Sequence, residues 1–157
     1  MKFALIEGFD RQVCDFVASR APFDHCDFRE GDKGFAVVRD GKMVAGVVFS
    51  GWRPAFASVE LSIVAVSSYA LSPQIVGALG HYAFEKLLAN RVWARTSIKN
   101  HRAVRLLEHV GAIREGIEAD YYGPGEHAGM YRMLKREWIE KYVKPPWPNV
   151  VLGTRAA

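Results

Sequence analysis

The chain has 157 residues, half of them apolar and 24% charged, with a formal net charge of +4. That length suits one domain with a buried core, and no apolar run approaches the roughly 20 residues of a membrane-spanning helix. The basic residues are scattered rather than striped, which fits a solvated surface or an anionic small ligand; nucleic acid is permitted as a partner but has no supporting signal.

The opening "MKFALIEGFD" has too short an apolar run and too many acids for a secretory leader, which predicts a cytoplasmic protein. Cys14 and Cys26 form no CxxC, and "DHCD" (residues 24–27) reads as a polar loop with a free thiol, so no metal is expected. The first helix is predicted over "FDRQVCDFVASRA" (residues 9–21), with Asp10 as N-cap and Val13, Phe16 and Val17 on its apolar side. Two β-rich runs flank "RDGK" in residues 34–52, and Asp-Gly is a strong hairpin signal. "FASVELSIVAVSS" (residues 56–68) reads as a third strand, buried on both faces at the centre of a sheet.

A helix is predicted over residues 72–90, capped by Ser72 with Pro73 in its first turn, its apolar face made by Val76, Leu79, Ala83, Leu87 and Leu88. "RVWART" (residues 91–96) is a short strand. Asn100 caps the next helix, Ala103, Leu106, Leu107 and Val110 form its inner face, and Gly111 ends it where positive φ is needed. "AIREGIEADYY" (residues 112–122) and "HAGMYRMLKREW" (residues 127–138) read as two last strands joined by the "GPGE" turn, and a Pro-rich extended tail follows. The order α, β-hairpin, β, α, β, α, β, β predicts one α/β or α+β domain over residues 1–142, with residues 143–157 as the tail.

Two positions stand out chemically. The junction between the strand of residues 56–68 and the helix after it places unpaired backbone N–H groups and a positive dipole end together, an anion site suited to a diphosphate, or else an ordinary capped turn. Glu60 interrupts an apolar strand and shares a face with Ser62, Val64 and Val66. It is a general base if burial raises its pKa toward neutrality, or a carboxylate paired with a surface arginine. Tyr121, Tyr122, Tyr131 and His127 cluster near the last hairpin, as packing groups or proton donors.

"NHRAVRLLEHVGAIREG" (residues 100–116) resembles the N-x-x-[S/A]-x-x-x-L-E-x-x-G-[F/A]-x-x-E-G segment of the GNAT N-acetyltransferase superfamily, closest to its branch that modifies ribosomal-protein N-termini and to small stand-alone, phage-type members. "VELSIVAVSS" and "GMYRMLKREW" resemble that family's central and closing strands in the same order. The resemblance implies a mixed, mostly antiparallel sheet of about six to seven strands, helices on both faces and a central β–α–β crossover. It also implies acetyl-CoA as cofactor, lying between two splayed strands. Val66, Ser67, Ser68, Ser72, Gln74, Ile75, Val76, Gly77, Asn100 and Ala103 would hold it. Backbone N–H groups near Val66, Ser67 and Ser68 would polarise its carbonyl. Glu60 would be the base, acting through water, and Tyr122 the second catalytic group. Trp52, Arg53, Tyr121 and His127 would border the acceptor, the amine of a protein N-terminus or a small molecule, in a monomer or homodimer. Three positions depart from the family pattern. Leu79 stands at the last small position of the diphosphate motif, Leu107 where many members carry a tyrosine acid, and Ala103 where the terminal-amine branch often has a serine. The implied function is transfer of an acetyl group to a primary amine; a repurposed, non-catalytic binding domain and a nucleic-acid-modifying member are the alternatives.

Overall fold

The computed structural model describes residues 3–20, 28–143 and 152–154; "DHCD" and most of the tail lie outside them. In chain order the elements are β1 (Ala4–Glu7), α1 (Asp10–Arg20), β2 (Lys33–Arg39), β3 (Lys42–Arg53), β4 (Ser58–Ala65), α2 (Pro73–Gly80) with a π-helical continuation (His81–Lys86), β5 (Arg91–Ser97), α3 (His101–Val110), β6 (Ile113–Glu118), β7 (Ala128–Leu134), α4 (Lys135–Tyr142) and β8 (Leu152–Thr154). The strands form one sheet in the order β6-β7-β5-β4-β3-β2-β1-β8. Only β4–β5 and β1–β8 pair in parallel; the rest are antiparallel. The mixed sheet, the helices on both faces and the β4–α2–β5 crossover agree with the expected fold class.

Local chemistry accounts for many of the boundaries. Asp40 and Gly41 turn the β2–β3 hairpin with φ of 50° and 72°, both in the left-handed region that such a turn demands. Ser72 caps α2 by accepting the Ile75 N–H, and Pro73 follows in the first turn. Asn100 caps α3 through the Ala103 N–H, and Gly111 closes it with φ of 95°. One face of the sheet packs α1, where Val13 and Val17 meet Ala36 and Val48. The opposite face packs α2 and α4 over Phe35, Val47, Phe49 and Val59. On α3, Leu107 packs against Ala94 and Tyr131. The Tyr142 hydroxyl donates to the Val110 carbonyl at 2.5 Å and Lys141 Nζ donates to the His109 carbonyl at 3.3 Å, which fastens α4 to the C-terminal end of α3.

Several expectations are corrected. The closing strand ends at Leu134, and "KREW" opens α4, because the Glu137 carboxylate accepts the Leu134 N–H at 2.8 Å and so caps a helix. Asp10 is the first helical residue, and its carboxylate accepts the Gly34 N–H at 2.9 Å, joining α1 to β2. Leu88 lies on no apolar face; it is exposed with φ of 64°, past the π-helical stretch that rotates the helix surface. Strands β1 and β8 are additional, too short to show a pattern in sequence. β4 is not buried on both faces: only Val59 is fully buried and the rest is half-buried, for a reason that lies in the site.

Gly80 is required by packing. A Cβ there would sit 2.0 Å from Nε1 of Trp138, which is itself only 1% exposed. Gly80→Ala is expected to lower unfolding free energy by about 1–3 kcal/mol through overpacking, read from urea denaturation. Burial pushes the Cys14 thiol up to about 11, with Asp32, Asp10 and Asp15 adding to the effect. Its reactive thiolate is therefore about a hundredfold scarcer than that of an ordinary cysteine below pH 8. Iodoacetamide labelling at pH 8, mapped by mass spectrometry, should modify Cys14 slowly in the native chain and rapidly in urea.

Candidate active site

The site begins where two strands part. β4 and β5 pair at Ser58↔Arg91, Val59↔Val92 and Glu60↔Trp93, and the pairing stops there. β5 continues as the antiparallel partner of β7 over its whole length, from Arg91↔Leu134 to Ser97↔Ala128. β4 continues along β3 as far as Ala65↔Ala45. The diverging strands leave a cleft of about 290 Å³, with residues 61–65 on one wall, residues 94–96 on the other, and Asn100, Ala103, Leu106 and Leu107 of α3 beside them. This opening explains the half-buried character of β4.

The backbone of β4 supplies the chemistry of that wall. Val66 donates its N–H to the Val44 carbonyl at 2.9 Å, toward β3. Alternation along an extended strand then turns the peptide groups of Leu61, Ile63 and Ala65 the other way, into the cleft. The expectation that N–H groups around Val66 polarise a carbonyl beside Glu60 is corrected twice. The Val66 N–H is taken, and the residue stands about 20 Å from Glu60 at roughly 3.3 Å per residue.

Glu60 occupies the apex, opposite Ser50 on β3 and Trp93 on β5. Next to it β3 carries a bulge, in which Gly51 (φ 61°) and Trp52 oppose Val59 before Arg53 pairs with Ser58. Trp52 packs against the main core and Arg53 stands exposed on the side of Ser58 and Glu60. One strand over, Arg95 donates from Nε to Glu118 at 2.8 Å and from Nη1 to the Tyr121 hydroxyl at 3.0 Å. Its guanidinium lies 4.2 Å from the Tyr121 ring centre and 5.1 Å from that of Trp93. Burial works against the Arg95 charge, but Glu118, Tyr121 and Glu60 outweigh it and hold its pKa above the ordinary value. Tyr121 meets Tyr122 edge-on at 4.8 Å, so the loop between β6 and β7 is fixed to the apex side of the sheet. His127 helps to shape that loop: its Nδ1 accepts the Asp120 N–H at 2.9 Å.

The residues expected to hold a diphosphate stand at the start of α2, where the sequence places the helix N-terminus. Gln74, Ile75, Val76 and Gly77 lie inside the first two turns of α2 and not in a loop, and the Ile75 side chain is in the core. The loop proper is the segment from Val66 to Ser72, with a single helical turn at Ser68–Ala70. Pro73 has no N–H, and the Ser72 hydroxyl already accepts the Ile75 N–H at 3.3 Å. The Asn100 carboxamide oxygen is likewise spent on the Ala103 N–H at 3.2 Å, while Ala103 itself lines the cleft. Sequence reasoning missed Trp93, Arg95 and Arg102. For the first two a signal existed, since alternation in "RVWART" puts Arg91, Trp93 and Arg95 on one face.

An extended chain with alternating amide donors and acceptors fits this geometry, because the wall offers strand-like peptide groups and α3 flanks it. The volume is at the low end of the roughly 300–1,000 Å³ of small-molecule sites, suited to a narrow arm rather than a whole nucleotide.

A family model for the GNAT acetyltransferase domain matches residues 10–113, a span that contains β4, β5, α3 and the cleft between them. The chain belongs to the GNAT acetyltransferase family. Among solved structures, a candidate acetyltransferase is 27% identical over 73% of this chain, with a TM-score of 0.62, and the chain spans 63% of that protein's length. Another, from T. thermophilus, is 26% identical, covering 73% of this chain and 65% of its own, with a TM-score of 0.60. The spermidine/spermine N-acetyltransferase SpeG from Vibrio cholerae, in mutant form, superposes with a TM-score of 0.70 over 88% of this chain and 98% of its own, at 14% identity, which shows a shared fold. No curated protein matches the GNAT chain by sequence.

Arg95 is the link between the β6–β7 loop and the apex. Arg95→Ala should leave the core intact and speed amide hydrogen exchange across residues 119–127 at least several-fold, because a charge-assisted hydrogen bond and a cation–π contact are lost together. Unchanged exchange there would show that the loop holds itself.

Proposed function

We propose that this GNAT chain transfers an acetyl group from acetyl-CoA to a primary amine, of a protein N-terminus or a small molecule, by direct attack in a ternary complex. The observation that carries the reading is the end of β4–β5 pairing at Glu60↔Trp93, which sets a carboxylate at the apex of a slot walled by strand-like peptide groups.

Acetyl-CoA supplies an activated acyl carbonyl when bound. The chain's own groups do the rest. Peptide groups of Leu61, Ile63 and Ala65 align the pantetheine arm, and a cleft-facing N–H near the apex polarises the carbonyl. Glu60 takes the proton of the attacking amine through a water, so that the nitrogen forms its new C–N bond as the C–S bond breaks. Tyr122, placed by Tyr121 and Arg95 at the apex side, is the group we assign to return a proton to the sulfur. Trp93, Arg95, Arg53 and Tyr121 border the acceptor. Trp52 and His127 act one step back, the first as packing for the bulge and the second as a brace for the loop. Leu107 packs on Ala94 and Tyr131 and lines the cleft, so α3 offers no hydroxyl at that position.

The base assignment is tested by CoA release with a panel of amines. Glu60→Gln is expected to lower kcat about 10²-fold or more at neutral pH, the range for loss of one positioned proton-transfer group. Equal rates of wild type and variant at every pH would contradict it.

A further inference from the structure

Arg102, the second residue of α3, is used by none of the roles above. Its Nη2 reaches across the cleft and donates to the Ala65 carbonyl on β4 at 2.8 Å. Ala65 is the last β4 residue whose peptide groups face the cleft, since Val66 turns to Val44. The side chain therefore straps α3 to the β4 wall at the end opposite Glu60, where β4 leads into the segment before α2. Arg20 of α1 lines the same cleft but is turned on its own helix, with its guanidinium 4.0 Å from the Phe16 ring centre. Arg102 has no carboxylate partner among the described residues, only that carbonyl.

A ligand that runs from the apex to α2 must take the place of the strap. Its exit releases, at one point, a strand carbonyl suited to an amide donor and a guanidinium with five N–H groups and a permanent charge. At the start of α2, Pro73 lacks an N–H and the Ile75 N–H is bonded to the Ser72 hydroxyl, and no residue from 66 to 80 is charged, so an anion there meets backbone donors and no cation. We infer that Arg102 is a displaceable strap that closes the cleft on the Ala65 carbonyl and, once displaced, pairs with the diphosphate of an acyl-CoA. The inference rests on the acyl-CoA reading and adds to it: the positive charge that residues 66–80 lack is supplied from α3.

The two roles pull in opposite directions, which makes them separable by calorimetric titration of CoA and of pantetheine, which has no phosphate. In Arg102→Ala the Kd for CoA should rise about tenfold or more, as for loss of a charge-assisted hydrogen bond, while the Kd for pantetheine should fall about two- to tenfold because its competitor is gone. Arg102→Gln keeps a donor for Ala65 without the charge, so it should weaken CoA and leave pantetheine near wild type. Both variants should melt within a few degrees of wild type, since the residue is exposed. CoA affinity unchanged in Arg102→Ala, or pantetheine no tighter, overturns the strap while leaving the acyl-CoA reading in place. Wild-type protein that binds neither ligand at millimolar concentration overturns both.

Discussion

Everything at the site follows from the double duty of β5. It must pair in parallel with β4, as the end of a β–α–β crossover, and antiparallel with β7 along its full length. Past Trp93 the parallel pairing with β4 is given up, while the antiparallel ladder to β7 runs on to Ser97. β4 is left with a line of peptide groups in the middle of a sheet that no strand satisfies. Backbone donors and acceptors in such a place need partners, and here the visible one is the guanidinium of Arg102 at Ala65. A slot of this kind favours an occupant that resembles a strand, with amides at strand-like spacing.

The surrounding elements hold that geometry open. α1 anchors β2 and β3 on one face through Val13 and Val17, and α2 with α4 fills the other through Leu79, Phe84 and Trp138. On the far side of β5, Arg91 is bonded to Glu115, and Arg132 bridges Glu115 and Glu137, so β5, β6, β7 and α4 are joined by one run of charges. Hydrogen bonding from Arg91 holds the Glu115 carboxyl below the usual range. That run of charges ties β5 to β6 and β7 at the end where β5 also pairs with β4.

What could be read in advance was whatever local chemistry decides. Asp40-Gly41, Ser72-Pro73, Asn100 and Gly111 each impose a backbone state on their own neighbours, and the family segment around Asn100 carried the fold class with them. β1 and β8 could not be read, since strands of 4 and 3 residues have too few alternations to stand out. α4 was hidden because the strand–helix switch at Leu134 depends on Glu137 folding back, a cap in a segment whose apolar residues suit either state. The start of α2 was legible because Ser72 and Pro73 set it locally. Glu60 was visible as an acid in an apolar strand; its place at the apex depends on where two distant strands stop pairing. Arg102 gave no signal at all, since its partner Ala65 is a long-range contact made only in the folded chain.

The central claim is that the cleft-facing peptide groups of β4 are an amide-recognition wall. It is tested by following backbone amide resonances of residues 61–66 as CoA is added to the full chain. The account predicts large shifts and new exchange protection at Leu61, Ile63 and Ala65, and little change at Ser62, Val64 and Val66, whose N–H groups face β3. Equal perturbation of both sets, or none with CoA bound, would contradict it.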